Sequence, residues 1–332
     1  MMEVDGSYGE GGGQIIRTAT ALSAVTGTPL RIRNIRKGRK NPGLAAQHAT
    51  AIEALATLCS AKTKGVVHGS LEITFEPGKI SGGSYRIDIG TAGSITLLAQ
   101  CLLPAALMAD GPVSLEIRGG TDVRWSPSID YFTYVFLPAL NEFGARVEVE
   151  CSQRGYYPRG GGTVHLSIDP GNLKPCSLER VSNPIKGLSH CSGLPEHVAQ
   201  RQSQAAIDTF RQVGLEAEIP IQILKAPSIG SGITLWSGYK GAGALGERGI
   251  RAEEVGSSSA RAMIAEVQSP SSVDVHLADQ LVPYLALAGG SYTVRDISMH
   301  AKTNVWTAGL FLGEKISISD GTPEEGLFLL EA

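Results

Sequence analysis

The sequence predicts an α+β protein whose main part repeats one unit of strand, helix and strand three times. In each unit the helix carries apolar residues at i, i+3 and i+4, and the closing strand alternates apolar and polar residues. Glycine is abundant, with 41 residues in a chain of 332, and many glycines stand in the turns between these elements. A further region of the chain breaks this rhythm and predicts a smaller inserted domain.

Every unit is predicted to run strand, turn, helix and strand, and then to pass through a polar loop into another helix. The predicted elements are Met2–Asp5, about Gln14 to Thr26 and Pro29–Ile35 in the first unit, Tyr85–Ile89, Ser94 to about Met108 and Val113–Arg118 in the second, and Val273–His276, Asp279–Ala288 and Tyr292–Ile297 in the third. The polar loops are 36–47, 119–128 and 298–304. A glycine-rich turn at 157–162 joins two more predicted strands, Arg146–Cys151 and Thr163–Ile168.

The segment 177–270 has a β-α-β-β-α pattern instead. Its first helix is marked by Pro195 in the first turn and by Gly214 just past the end. The elements after it are the strands Glu216–Leu224 and Gly232–Ser237 and a helix from about Ala252 to Glu266. We therefore predict a main domain of residues 1–176 and 271–332. The inserted domain, 177–270, is expected to lie between the second and third units.

The composition excludes several classes of protein. Hydrophobic residues make up 42% and charged residues 18%, so the chain can bury a core and is not disordered. No apolar run reaches the roughly 18 residues of a membrane span, and the first residues lack the pattern of a secretory signal, so we expect a cytoplasmic protein without a membrane partner. The five cysteines form no C-x-x-C pair, which excludes a zinc site or disulfide framework. Cys59 and Cys101 lie in apolar segments that are predicted to be helical, so both side chains are expected in the core.

Basic residues are concentrated near the end of the first unit, although the net charge is −3. Six of them fall within ten residues that contain no acid: Arg31, Arg33, Arg36, Lys37, Arg39 and Lys40. Such a cluster can bind phosphates locally on an acidic protein. The alternative is a solvated edge strand and loop.

The stretch from Glu10 to Arg17, E-G-G-G-Q-I-I-R, is the first candidate site. Successive glycines let backbone N–H groups approach a phosphate, and the helix that follows presents its positive end. Glu10 could hold a divalent metal, and Arg17 could pair with a phosphate. Neither the Walker A spacing nor the dinucleotide fingerprint is present, and an ordinary glycine turn is the alternative.

Three other groups of residues could contribute to the same chemistry. Arg36 and Arg39 lie on a loop where arginine forks suit phosphate oxygens, and His48 follows as either a substrate contact or a core residue. The motif His276-Leu277-Ala278-Asp279-Gln280 opens the third helix, where Asp279 could equally be a simple N-cap. Gln100 is an amide in an apolar helix and needs a partner, either a nucleotide base or a backbone carbonyl.

His300 follows the closing strand of the third unit, on a predicted loop equivalent to the arginine loop of the first. A neutral imidazole can attack phosphorus, and the P–N bond that forms is labile enough to pass the group on. For any single histidine a structural role is the more common one, and the repeat position adds only modest weight to the functional interpretation.

The motifs taken together resemble those of the RNA 3′-terminal phosphate cyclase family along nearly the whole chain. They are E-G-G-G-Q-I-I-R at 10–17, R-K-G-R-K-N-P-G-L at 36–44, Q-H at 47–48, G-T-A-G-S at 90–94, G-G-T-D at 119–122, Y-P-R-G-G-G at 157–162, L-A-D-Q at 277–280 and H-A-K-T-N at 300–304. The resemblance implies a main domain of repeated units like the C-terminal domain of a translation initiation factor. It also implies a thioredoxin-like inserted domain.

The resemblance further implies a reaction in three steps. The family's histidine, here His300, takes AMP from ATP and releases pyrophosphate. AMP then moves to an RNA 3′-phosphate, and the neighbouring 2′-hydroxyl closes a 2′,3′-cyclic phosphate. ATP, RNA with a 3′-phosphate end and Mg²⁺ (or Mn²⁺) are the implied ligands, and a homodimer is expected.

The resemblance also carries roles over to individual positions. It implies catalytic roles for His300, Arg17, Arg39 and Glu10, with Glu10 as the residue that holds the metal. It implies ATP contacts for Gln14, Gln100, Pro127, His276, Leu277, Ala278, Asp279 and Gln280. It implies RNA or phosphate contacts for Arg36, Arg39, Gln47 and His48. His276 and the stretch Ala244-Leu245 depart from relatives that carry aromatic residues at these places.

Two other functions compete with the cyclase reaction. The first is a non-catalytic ribosome-assembly relative of the same fold, against which the presence of His300 and the three arginines at 17, 36 and 39 argues. The second is a carboxyvinyl-transferase-like enzyme, because that group also stacks βα units, but the inserted domain and the histidine motif fit it poorly.

Overall fold

The computed structural model describes residues 1–171, 173–321 and 326–332. Its first unit consists of β1 (Met2–Asp5), α1 (Gly13–Thr26), β2 (Leu30–Arg33), α2 (Ala46–Leu58), β3 (Lys62–Lys64) and β4 (Ile73–Glu76). The four strands form one sheet in the order β1-β2-β4-β3, and β1 and β2 are parallel. The strand and helix predicted to open the chain are therefore confirmed.

The second unit has the same topology. It consists of β5 (Gly83–Asp88), α3 (Ile95–Ala106), β6 (Val113–Gly119), α4 (Ile129–Tyr131), a π-helical turn (Phe132–Phe136), α5 (Leu137–Glu142), β7 (Arg146–Gln153) and β8 (Gly162–Asp169). The sheet order is β5-β6-β8-β7, with β5 and β6 parallel. The predicted elements of this unit are present, with bounds that differ by a few residues.

The short strand β9 (Cys176–Ser177) precedes the region that breaks the repeat. That region contains β10 (Ile185–Ser192), α6 (His197–Arg211), β11 (Ala217–Glu218), β12 (Ile221–Leu224), β13 (Gly230–Ser237), β14 (Lys240–Leu245) and α7 (Ala252–Gln268). Pro220 divides the single strand predicted at 216–224, because proline has no N–H to donate to the ladder. β14 was not predicted, since its sequence K-G-A-G-A-L has little preference for a strand.

The third unit is completed by α8 (Val275–Ala288), β15 (Gly290–Val294), α9 (Met299–Leu312), β16 (Ser317–Asp320) and β17 (Phe328–Glu331). Its sheet order is β9-β15-β17-β16, with β9 and β15 parallel, so β9 is the opening strand of this unit. The predicted strand Val273–His276 is wrong, because Asp274 caps α8 through the backbone N–H groups of His276 and Leu277. The inserted region consequently lies inside the third unit and not between the second and third.

Two further local predictions need correction. The polar loop expected at 298–304 is the start of α9, which Ser298 caps by accepting a hydrogen bond from the Ala301 N–H, so His300 lies in the first turn of a helix. Asp279 is in the second turn of α8 and is not its N-cap. Both errors concern helix starts, where the sequence signal of a cap is short.

The helices of the three units pack against one another, with α1 in contact with α2, α3 and α9. One hydrophobic cluster runs through all three units and includes Cys59 and Cys101, as predicted for these cysteines. A second cluster joins residues of the inserted region, among them Ala206, Phe210, Ile233 and Met263. The predicted α+β class is confirmed. Within the described ranges, no helix has the length and apolar character needed to cross a membrane.

Candidate active site

The N-termini of α1 and α2 meet, and neither is capped by a side chain. The imidazole of His48, in the first turn of α2, lies directly against Gly13, the first residue of α1. A Cβ atom on Gly13 would lie 1.9 Å from His48 Nε2, so no side chain fits there. Because the first N–H groups of a helix lack partners within it, the two helix starts together favour an anion.

The helix that carries His300 is joined to the same place by hydrogen bonds. Gln14 Nε2 donates to the backbone oxygen of His300 at 2.9 Å. Thr18 Oγ1 donates to Asn304 Oδ1 at 2.8 Å, and Asn304 Nδ2 donates to the backbone oxygen of Asp279 at 2.7 Å. Asn304 therefore connects α1, α8 and α9 and fixes the start of α9 relative to the other two helices.

His300, Glu10 and Arg39 form an accessible cluster. Glu10 Oε2 lies 3.5 Å from His300 Nε2 and 3.3 Å from Arg39 Nη2. The three side chains are 39–48% exposed, so a substrate can reach them. The predicted catalytic residues His300, Glu10 and Arg39 are thus brought together from three separate parts of the chain.

The surroundings of His300 lower its pKa and so favour the neutral imidazole. Partial burial lowers its pKa from the usual 6.5, and the positive charges of Arg17, Arg39 and His276 lower it as well, while Glu10 opposes them. A neutral imidazole keeps a lone pair, which is what a nucleophile requires. The arrangement therefore favours nucleophilic chemistry at the His300 imidazole near neutral pH.

Arg17 is half-buried and, among the described residues, makes no ion pair. Burial lowers its pKa, and nearby Asp279 opposes this. Asp279 is itself held protonated, because burial and the carboxylates of Asp274 and Glu10 raise its pKa to about 8, against the effect of Arg17. Near neutral pH the Arg17 charge is therefore largely uncompensated, which favours the binding of an anion.

The residues predicted to contact RNA or phosphate lie in the loop that precedes α2 and in the first turn of that helix. Burial lowers the pKa of His48 to about 3, helped by Arg17 and Arg36, so His48 is neutral and can only exchange hydrogen bonds. Arg36 Nη1 donates to the backbone oxygen of Gly43 at 3.1 Å, which ties it to its own loop. Gln47 Oε1 accepts a hydrogen bond from Ser94 N at 3.4 Å, which connects α2 to the start of α3.

Most of the residues predicted to contact ATP lie on α3 and α8, whereas Gln14 lies on α1 and Pro127 precedes α4. Gln100 Nε2 donates to Gln280 Oε1, and Gln280 Nε2 donates to the backbone oxygen of His276 at 2.9 Å. The partner of Gln100 is thus another amide, where a base or a backbone carbonyl was expected. The backbone oxygen of Pro127 accepts from Thr96 Oγ1 at 2.8 Å.

Leu277 and Ala278 are buried in the core, so their side chains pack there. Sequence reasoning gave no role to Asn304, although it stands in the quoted H-A-K-T-N motif. Its amide can bridge three helices only once they are packed. The motif was the available signal, but it does not by itself reveal those contacts.

A buried charged cluster joins the second unit to the inserted region. Arg154 Nη2 donates to Asp130 Oδ1 at 2.7 Å, and its Nη1 lies 3.2 Å from Asp122 Oδ2. His190 Nε2, on β10, lies 3.5 Å from Asp122 Oδ1. Burial alone would raise the pKa of Asp122, but Arg154 and His190 outweigh it and hold that pKa well below its usual range.

Comparison with known proteins gives consistent results. A family model described as RNA 3′-terminal phosphate cyclase matches residues 8–318. A protein of that name from Methanococcoides burtonii is 53% identical over 96% of this chain and 96% of its own, and one from Archaeoglobus fulgidus is 51% identical over 95% and 97%. The corresponding protein of Pyrococcus furiosus is 45% identical over 98% and 97%.

One solved structure, the enolpyruvyl transferase NikO from Streptomyces tendae, aligns with 99% of this chain and 48% of its own at only 11% identity and a TM-score of 0.39. The family match and the relatives instead extend over nearly the whole chain and include every residue of the cluster around His300. The chain belongs to the RNA 3′-terminal phosphate cyclase family.

Proposed function

We propose that this protein uses ATP to convert an RNA 3′-phosphate end into a 2′,3′-cyclic phosphate, through AMP held covalently on His300. The observation that carries the proposal is the neutral, accessible His300 imidazole. It lies 3.5 Å from Glu10 in a cluster with Arg39, next to uncapped helix starts. Relatives of about 50% identity bear the name of this activity.

In the first step His300 Nε2 bonds to the α-phosphorus of ATP, the bond from that phosphorus to the bridging oxygen breaks, and pyrophosphate leaves. The site offers a nucleophile with a free lone pair and several groups that offset phosphate charge. These groups are the N-termini of α1 and α2 and the side chains of Arg17 and Arg39. Gln14 positions the nucleophile, because its amide bonds the backbone of His300.

In the second step an oxygen of the RNA 3′-phosphate attacks the phosphorus of AMP, and His300 leaves as the neutral base. In the third step the adjacent 2′-hydroxyl attacks the activated 3′-phosphorus, loses its proton, and expels AMP. A phosphate dianion is a poor electrophile, and adenylation supplies the leaving group it lacks. The 2′-hydroxyl is already attached to the same ribose, so proximity provides much of the remaining acceleration.

Glu10 is the proposed ligand for Mg²⁺ or Mn²⁺. Its carboxylate is 39% exposed, and magnesium is usually held by one or two carboxylates together with substrate phosphates. The residues present fit such an ion, which when bound would offset phosphate charge. Without it, Glu10 interacts with Arg39 and His300 and so keeps their side chains at the entrance of the site.

The first half-reaction gives a direct test. Wild-type protein incubated with ATP labelled at the α-phosphate and Mg²⁺ should retain an acid-labile AMP label, and His300→Ala should retain none. His197→Ala is a matched control, because His197 is an exposed histidine in the first turn of another helix, α6. The absence of label on wild type, or label on His300→Ala, would refute the proposal. Binding of wild type to pre-ribosomal particles without any label would favour the non-catalytic alternative.

We also propose that residues 177–270 form a thioredoxin-like domain inserted in a main domain, 1–176 and 271–332, that resembles the C-terminal domain of a translation initiation factor. The separate hydrophobic cluster of the inserted region supports this division. So does its sheet, in which β10 lies between the parallel β12 and the antiparallel β13. A cytoplasmic homodimer is the proposed working form, which sedimentation and cell fractionation would test.

A further inference from the structure

Two neighbouring loops of the second unit expose aromatic and basic side chains that the proposed reaction does not use. We infer that they bind single-stranded RNA just upstream of the reacting 3′ end, by stacking on its bases and contacting its phosphates. The loops contribute Arg124, Trp125, Tyr157 and Arg159, here named the aromatic-basic patch. The inference rests on the proposed function, because it assigns the substrate's approach to the same site.

The aromatic rings of the patch are unusually accessible. Trp125 is 92% exposed and Tyr157 is 75% exposed. Large aromatic side chains normally bury most of their surface, and exposed ones are enriched where a partner covers them. The exposed rings therefore suit a ligand with flat apolar faces that can stack on them, such as the bases of a nucleic acid.

The backbone holds Trp125 in this exposed position. Its φ of 60° lies in the left-handed region, which is uncommon for a bulky residue. The loop is fastened on both sides, because Ser126 Oγ donates to the oxygen of Val123 at 2.9 Å and Thr96 Oγ1 donates to that of Pro127 at 2.8 Å. A conformation of this kind, held by its surroundings, is typical of functional loops.

The loop with Tyr157 and Arg159 is also fastened. Ser228 Oγ, from the inserted region, donates to the backbone oxygen of Gly160 at 2.9 Å and accepts from the N–H of Tyr156 at 2.7 Å. Gly160 has a φ of 64°, and a Cβ there would lie 2.9 Å from the Cα of Ala92. The loop is thus a firm support for the two exposed side chains it carries.

The two loops are adjacent and lead to the catalytic cluster. Asp122 and Tyr156 form a parallel β-bridge between them. Gly120 and Gly160 both lie against Ala92, in the turn before α3, and Gln47 bonds the backbone at the end of that turn. Gln47 is followed by His48, which packs against Gly13 at the start of α1. RNA on the patch could therefore place its end near His300.

Charge and position favour RNA over the base of ATP. Arg159 is exposed and, in the parts of the chain that the structure describes, has no ion pair. Arg124 is paired with Glu247 of the inserted region, and its guanidinium lies 5.9 Å from the centre of the Trp125 ring, so Arg159 is the cation of the patch that is available to a phosphate. Aromatic rings interleaved with cations are the usual means of binding single strands without sequence preference. The predicted ATP contact Gln100 lies farther along α3, about 7.5 Å from its start. Pro127, another predicted ATP contact, lies in the same loop as Trp125, so labelling of Trp125→Ala by ATP alone decides between the two ligands.

The test compares Trp125→Ala, Tyr157→Ala and Arg159→Ala with wild type. The Kd for a short single-stranded RNA with a 3′-phosphate should rise roughly 5- to 100-fold in each aromatic variant, while labelling of His300 by ATP alone should be unchanged. Tyr157→Phe should bind as wild type does, since it keeps the ring. Arg146→Ala is the control for Arg159→Ala. It removes a 77% exposed arginine from the other end of the same hairpin, about 23 Å away along the strand, and should leave RNA binding unchanged.

RNAs with a single abasic nucleotide identify the stacked base. An abasic site one to three nucleotides before the end should weaken binding to wild type at one position, and the variant that lacks the corresponding ring should be insensitive to that change. Unchanged Kd values in both aromatic variants would overturn the inference. The inference would also be overturned if the aromatic variants bound RNA as wild type does but had an altered oligomeric state, because the patch would then be a protein interface.

The outcomes separate the inference from the proposed function. Wild-type protein that forms no AMP adduct but binds RNA in a manner that depends on Trp125 and Tyr157 would refute cyclisation and keep the patch. If wild type cyclises RNA and the aromatic variants do so with an unchanged KM, the inference about the patch is refuted and the proposed cyclisation stands.

Discussion

Gly13→Ala measures how closely the starts of α1 and α2 must approach. In a helix, alanine ordinarily stabilises relative to glycine by about 0.5–1 kcal/mol, because glycine loses more backbone entropy on folding. At Gly13 the new Cβ would lie 1.9 Å from His48 Nε2 and 2.2 Å from its Cε1, whereas ordinary contacts lie at about 3.5 Å. The imidazole would have to move by roughly 1.5 Å, and His48 is only 6% exposed.

Overpacking of this kind costs about 1–3 kcal/mol, which exceeds the gain from backbone entropy. Gly309→Ala is the matched control, because Gly309 lies within α9 with nothing near its added Cβ and should show the ordinary gain. Urea unfolding should therefore place Gly13→Ala about 1–3 kcal/mol below Gly309→Ala at similar m. Adding His48→Ala should recover part of the loss at Gly13. Equal stability of the two single variants would refute the reasoning.

Four further predictions follow from the pKa shifts and the buried charges. Because the pKa of His300 is lowered from 6.5, the midpoint of the acid-side fall in single-turnover AMP labelling should lie below pH 6.5, and Arg39→Gln, which removes a cation, should move that midpoint to higher pH. Asp279 has a pKa of about 8 and is mostly protonated at pH 7, so Asp279→Asn should label within about threefold of wild type there, and a loss as large as that of Asp279→Ala would contradict this. The pKa of His48 is about 3 in the folded protein and 6.5 in its reference state, so the unfolded chain binds more protons between these pH values. Between pH 6.5 and pH 5, the free energy of unfolding measured in urea should therefore fall by about 2 kcal/mol more in wild type than in His48→Gln. Parallel pH profiles of the two proteins would contradict this. Arg154→Met leaves two buried carboxylates without their cation and should lower the free energy of unfolding by about 3–5 kcal/mol, which a loss below about 1 kcal/mol would refute.

The elements that were predicted correctly carry a strong local pattern. β1 and α1 show the strand and helix periods over their whole length, and a period can be recognised without knowledge of the neighbours. β9 has only two residues, and only its pairing with β15 makes it a strand. β14 contains two glycines and is likewise a strand through its pairing with β13. Such elements owe their conformation to partners that are distant in the sequence.

The candidate site divides in a similar way. His300, Glu10 and Arg39 could be selected from motifs, because the chemistry of phosphate requires a nucleophile, a metal ligand and cations of these types. Their distances could not be obtained that way, since the three residues come from separate parts of the chain. The shifted pKa values of His48 and Asp279 also depend on burial and on charges that only packing brings near.

The sequence by itself determined the α+β class, the repetition of βα units and the family, because periodicity, turn residues and motifs are written in the order of residues. The tertiary structure decided that the third unit opens with β9, before the inserted region, and that His300 begins a helix. It also decided that the starts of α1, α2 and α9 come together beside the accessible cluster, and that Gln47 connects the start of α3 to α2. The physical reason is that strand pairing, burial and electrostatic fields depend on contacts between residues far apart in the chain, which no local pattern specifies.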